Sequence, residues 1–126
     1  MKREAIEIPG VSHGAPIPMG AKIGSIIYSS AIMGKSAENN ELPLEAVEQM
    51  ACLFKNIEAF MVAAGGTTEN IIRMSVYLKD NEYRNLFNKE WLRLFPDEDN
   101  RPARHISINE SLQHGMVAQV ELVGVL

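Results

Sequence analysis

The chain has 126 residues, 46% of them hydrophobic and 22% charged, which fits one domain spanning residues 1–126 and excludes disordered, collagen-like and coiled-coil chains. Twelve Lys and Arg against sixteen Asp and Glu leave a net charge of −4, and no window forms the basic stripe that neutralises phosphates, which argues against a duplex nucleic-acid binder. Apolar runs fall far short of the roughly 18 residues needed to span a bilayer. MKREAIEIPG lacks the apolar stretch of a secretory signal, and the lone Cys52 cannot close an intrachain disulfide, so a cytoplasmic protein is expected.

Pro9, Gly10, Gly14, Pro16, Pro18 and Gly20 punctuate the N-terminal fifth, which reads as loop and short strand. Residues Ile23 to Met33, rich in Ile and small side chains, predict a buried strand, and GKSAENNE after them a polar turn. From Pro43 to Ala64 the positions Val47, Met50, Ala51, Phe54, Ile57, Met61 and Ala64 recur every three or four residues, predicting an amphipathic helix of about six turns. It should end at Gly65-Gly66, where glycine accepts a left-handed cap. Ile71 to Lys79 alternates, with Ile72, Met74, Val76 and Leu78 on one face, as a half-buried strand does. Asp80 or Asn81 caps a second helix with the stripe Tyr83, Leu86, Phe87, Trp91 and Leu94, and Pro96 follows its end. Strands at Ala103 to Ile108 and Met116 to Val125 close the chain. This order predicts an α+β fold, a single sheet with two helices packed on one face. The last strand, VAQVELVGVL, is too apolar for either side to face water, so a second copy is expected to cover the open face.

The sequence contains no Ser-His-Asp motif, P-loop or G-x-G-x-x-G fingerprint. His13, His105, His114 and Cys52 are scattered without ligand-like spacing, so no metal site is expected. The segment Arg101-Pro102-Ala103-Arg104 opens a strand whose alternation puts Arg104, Ile106 and Ile108 on one face and His105, Ser107 and Asn109 on the other. A charge beside two isoleucines is costly unless paired. Either a carboxylate side chain in a structural ion pair or a bound anionic ligand would satisfy it.

PxAR before a strand, followed by a last strand of the form V-x-(E)-V-E-x-x, resembles the C-terminal signature of the Rid (reactive intermediate deaminase, YjgF-type) family. The likeness extends over nearly the whole chain, through GAPIPMGAKIGSIIYSSAIMG, the helix and strand in AAGGTTENIIRMSVYLKD, and FNKEWLRLFP. It implies a chorismate-mutase-like α+β subunit with a mixed sheet, in a homotrimer with clefts between neighbouring subunits. It also implies hydrolysis of small carboxylate-bearing enamines and imines such as 2-aminoacrylate to a 2-keto acid and ammonia, without metal or organic cofactor. By this resemblance Arg104 grips the substrate carboxylate, Asn88 is the cleft asparagine, and Ser29 matches the serine of the family's S-G-Q stretch, with Ser30 in place of its glycine.

Three positions depart from the family pattern. Ile17 stands where tyrosine is usual after Gly-Pro, and Ile106 where cysteine often follows the arginine by two. Both make the implied pocket more apolar. Gln119 replaces the glutamate that orients the attacking water, while Glu121 matches the second acid of that strand. Glutamine can hold a water but cannot take its proton, which removes general-base help of about 10²–10⁴ in rate. Positioning could still act on imines that hydrolyse unaided. Arg104, Gln119 and Glu121 are the catalytic candidates; Arg104, Asn88, Ser29, Ser30, Ile17 and Ile106 are the substrate-binding ones. His105 should point away from Arg104, His114 reads as a loop residue, and Tyr28 is a candidate for the missing hydroxyl. The departures leave a second reading open, a divergent member that binds a small carboxylate metabolite or hydrolyses another catabolic enamine, aminomuconate-like. A ribonuclease, a function attached to some members by name, is disfavoured by the acidic balance.

Overall fold

Four short strands occupy the N-terminal third: β1 (Glu4–Ile6), β2 (Gly20–Ile23), β3 (Ile26–Ser29) and β4 (Ile32–Met33). They are followed by α1 (Ala46–Ala63), β5 (Ile71–Leu78), α2 (Arg84–Leu94), β6 (Ala103–Ile108) and β7 (Ala118–Val125), and the computed structural model describes all 126 residues. The strands form one sheet in the order β1-β2-β3-β7-β5-β6, with β4 also paired to β7. β5 and β6 run parallel, joined through α2, and every other pairing is antiparallel. A single sheet with both helices on one face is the architecture expected from the element order, and its mixed pairing is the one the family resemblance implies.

Alternation sorts the sheet into two faces. Met74, Val76 and Leu78 of β5 lie opposite Leu122, Val120 and Ala118 of β7, all buried beneath the helices. Phe54 of α1 meets Phe87 of α2 at 5.0 Å between ring centroids, and Trp91 and Phe95 continue this aromatic row. Tilted and offset rings at such spacings contribute beyond their buried area. The other face is open. Ile23, Ile26 and Tyr28 are 46%, 52% and 60% exposed there, beside half-buried Val123 and the polar positions Ser75, Gln119 and Glu121.

Several boundaries differ from the sequence expectation for local reasons. The strand predicted over Ile23 to Met33 is divided. Gly24 turns the chain at φ 57° between β2 and β3, and the backbone leaves the ladder again at Ser30–Ala31. There the Ser30 amide donates to Met19 O, and the Ser29 hydroxyl takes the Leu122 amide at 2.8 Å, filling the gap between β3 and β4 along β7. α1 is a five-turn helix that starts at Ala46 and stops before Gly65, whose φ of 94° ends it. Val47 is exposed in its first turn, while Leu53 and Phe60 complete the buried face. In β5 a register shift between Ile71 and Arg73 turns Ile72 outward, so Ile71 rather than Ile72 joins the core. β7 begins at Ala118, after the turn at His114 and Gly115, because the Val117 amide donates to Gln49 Oε1 instead of joining a strand ladder.

Two buried amides tie the layers together. Gln49 donates to Pro43 O and Gly115 O and accepts from the Val117 amide. Asn56 donates to Met33 O and Lys35 O. No helix is long and apolar enough to cross a membrane.

Candidate functional site

β6 is an edge strand, and its parallel register against β5 sets Arg104 opposite Met74. Met74 points into the core, so Arg104 leaves the sheet on the helix-covered side, sharing that side with Ile106 as alternation predicted. Above it, α2 offers one face: Arg84, Asn88 and Trp91 follow at spacings of four and three, with Phe87 beside them. Arg104 Nη1 donates to Asn88 Oδ1 at 2.8 Å. The guanidinium carbon lies 4.7 Å from the Trp91 ring centroid and 5.6 Å from that of Phe87, well within cation–π range.

Arg104 is half-buried and forms no ion pair; the salt bridges involve only Lys22 and Arg93 among the cations. Of its five N–H donors, one is used within the chain. Burial, and then the positive charge of Arg84, push its pKa below the usual arginine range. A guanidinium fixed by one hydrogen bond, flattened on two rings and free to donate from its remaining edge is suited to bidentate capture of a carboxylate.

The other candidates fall elsewhere. Gln119 and Glu121 lie opposite Tyr77 and Ser75 in the β5–β7 ladder and project on the open face of the sheet, away from Arg104. Gln119 lines a groove of about 700 Å³ together with His13, Met33, Lys35, Glu41 and His114, whereas Glu121 is exposed. Ser29 and Ser30 both serve the backbone, Ser30 Oγ donating to Pro18 O at 2.9 Å and Ser29 Oγ accepting from Leu122 N. Ile17 is 49% exposed in the loop before β2, and Ile106 packs at the margin of the core on Arg104's side. His105 lies opposite Ser75 on the open face, away from Arg104 as expected. His114 is an exposed turn residue at φ 62°.

A single chain therefore brings Arg104 and Asn88 together and leaves Gln119, Glu121, Ser29, Ser30 and Ile17 outside that contact. The aromatic floor of Phe87 and Trp91 was read from sequence only as core stripe. Arg84 was not singled out at all, although the interval Arg84-Asn88-Trp91 carries the signal that they share a helix face.

The sequence pattern described as endoribonuclease L-PSP matches residues 16–125. The chain belongs to that family, in which the Rid proteins fall. A RutC family protein of Aquifex aeolicus (strain VF5) is 27% identical over 116 residues, covering 88% of this chain and 93% of its own. TdcF of Escherichia coli (strain K12), whose name is that of a reactive intermediate deaminase, is 29% identical over 65 residues, about half of each chain. Among solved structures, RidA from the Antarctic bacterium Psychrobacter sp. PAMC 21119 superposes with a TM-score of 0.89 at 23% identity, covering 98% of this chain and 99% of that one. E. coli TdcF with bound serine gives 0.88 at 22% identity, covering 98% of both. At such identities the superpositions establish the shared fold, and this Rid-type chain must be read for function from its own site.

Proposed function

We propose that the protein is an enamine/imine deaminase-type hydrolase acting on small carboxylate-bearing reactive intermediates of the 2-aminoacrylate kind. The observation that carries this is Arg104, half-buried, held by Asn88, laid on Trp91 and without a carboxylate of its own chain. Water adds to the imine carbon, the C–N bond breaks, and a 2-keto acid and ammonia leave. This needs no electron acceptor and no cofactor. TdcF, a deaminase by name, supports the reaction class.

The reading places the reaction in clefts between copies of the chain, in a homotrimer. Arg104 projects from the helix side of an edge strand, and Gln119 and Glu121 from the open side of β7. A water held by Gln119, or by Glu121, reaches a ligand on Arg104 only if the strands belong to different copies. Ser29, Ser30, Ile17 and Ile106 would then border the substrate from the two sides of the cleft.

The test is a coupled assay with 2-aminoacrylate or 2-aminocrotonate generated in situ. Wild type should accelerate keto-acid release, and Arg104→Ala should remove the acceleration. Equal rates for the two would overturn the proposal. One observation favours a second reading, in which the cleft binds a small carboxylate metabolite or hydrolyses another catabolic enamine, aminomuconate-like: the groove side chain at the water position is an amide, Gln119, not an acid. Gln119→Glu separates the two. A gain of about 10² or more, the scale of general-base assistance, would mean the native protein is not built for the standard reaction; an unchanged rate would favour the first reading, with water handled elsewhere.

A further inference from the structure

The groove that holds Gln119 also holds an imidazole that the reaction as described does not use. His13 and His114 line it together with Lys35 and Glu41. Glu41 and His114 are exposed to solvent, and Lys35 Nζ donates to Ser12 O at 2.8 Å. His13 differs from all three. It is half-buried, and its Nε2 is the one buried side-chain nitrogen or oxygen of the chain without a hydrogen bond. An unpaired buried polar atom loses its hydration with nothing to offset the loss. Where one is retained, its partner is a bound water, ion or ligand, or the residue serves catalysis. The backbone leading into His13 is held firmly all the same. Ser12 N donates to Asn40 Oδ1 at 3.0 Å, and Asn40 Nδ2 donates to Ser12 Oγ at 3.1 Å. Asn40 makes this clasp from a left-handed φ of 58°, which asparagine tolerates better than most residues. Three hydrogen bonds thus converge on Ser12, while the next residue presents a ring nitrogen that has none.

We infer that His13 is the catalytic base of this groove, taking the proton that Gln119 is unable to take. The inference rests on the proposed hydrolysis in a cleft between copies and adds the group that activates the water. Gln119 orients the water through its amide. The water oxygen bonds to the iminium carbon, the C=N electron pair withdraws to nitrogen, and the proton lost by the water passes to His13 Nε2. The imidazolium then returns that proton to the amino group, the C–N bond breaks, and the hydroxyl proton leaves with ammonia as ammonium. The keto acid departs and His13 is again neutral, with water the only co-reactant consumed. Catalytic hydrogen bonds often close only when substrate is bound. Because Nε2 has no partner within the chain, meeting the water breaks no existing bond.

The experiment combines the coupled keto-acid assay with thermal unfolding of the full chain. His13→Leu should lower kcat by about 10² or more, the scale of general-base assistance, with a smaller change in KM. The same substitution should leave the unfolding temperature unchanged or raise it, because it removes an unpaired buried atom. Adding Gln119→Glu to His13→Leu should recover part of kcat, since a glutamate accepts the proton that leucine does not; a packing defect would not be repaired this way. If His13→Leu fails to fold, His13→Gln takes its place, with the same loss of kcat and the same recovery expected. A folded variant that keeps kcat, a rise in KM alone, or a loss of kcat that Gln119→Glu does not relieve would overturn the base role and leave the Arg104 reading standing. If wild type is no faster than Arg104→Ala, the hydrolase reading itself falls and this inference with it.

Discussion

At the scale of single residues, Arg104 differs from an ordinary surface arginine in what surrounds it. Trp91 and Phe87 remove solvent from one side of the guanidinium, and Asn88 fixes its rotation with one N–H, so little freedom remains to be lost when an anion arrives. Burial and Arg84 lower its proton affinity, yet an arginine stays charged throughout the range in which proteins are stable. Carboxylate binding should therefore be flat between about pH 6 and pH 9, the interval in which a histidine clamp would titrate. Calorimetry across that range checks this, and a loss of affinity centred near neutrality would assign the anion to a histidine instead. Arg104→Lys should weaken binding by about tenfold or more, because lysine keeps the charge but not the planar fork or its stacking on the rings.

At the scale of elements, the least obvious supports are Gln49 and Asn56, polar residues on the buried face of α1. Each replaces water for backbone groups that no strand satisfies: Gln49 for Pro43, Gly115 and Val117, Asn56 for Met33 and Lys35. Gln49→Leu should destabilise the fold by about 1–3 kcal/mol, the cost of leaving buried backbone groups without partners, as measured by chemical denaturation. The same bonds hold the turn that carries His114 and leads to Gln119. Gln49→Leu should accordingly speed amide exchange at residues 115–117 more than in β5, and uniform protection would count against that role.

At the scale of the molecule, the open sheet face carries Ile23, Ile26 and Tyr28 largely exposed, and the catalytic candidates are divided between its two sides. Both point to self-association. Light scattering should give three times the chain mass. Ile26→Glu, at a position 52% exposed in the single chain, should yield a folded monomer that has lost deaminase activity; a monomeric wild type would overturn the cleft reading. Nucleic-acid affinity rests on cations that displace counterions. With a net charge of −4, RNA retention at physiological salt is expected to be undetectable by filter binding, whatever the family's name.

The fold was legible because its signals are periodic and local. The three-and-four spacing of α1, the alternation of β5 to β7, and glycine at the end of α1 each follow from backbone geometry. Where expectation and structure part, one break carries a local glycine signal, the Gly24-Ser25 hairpin inside Ile23 to Met33. The departure at Ser30–Ala31 and the outward turn of Ile72, by contrast, are breaks in strand pairing that no local pattern encodes. Arg104 stood out in sequence because a charge shared a strand face with isoleucines, and family resemblance paired it with Asn88. Sequence by itself thus determined the class of fold, and it singled out Arg104 as the candidate clamp and Gln119 as the amide where the family resemblance expects an acid. Tertiary structure alone decided that Arg104 rests on Trp91 without an acidic partner and that Gln119 and Glu121 face the other way. Those relations depend on which strand takes the sheet edge and which helix face covers it, and both are set by packing between segments far apart in the chain.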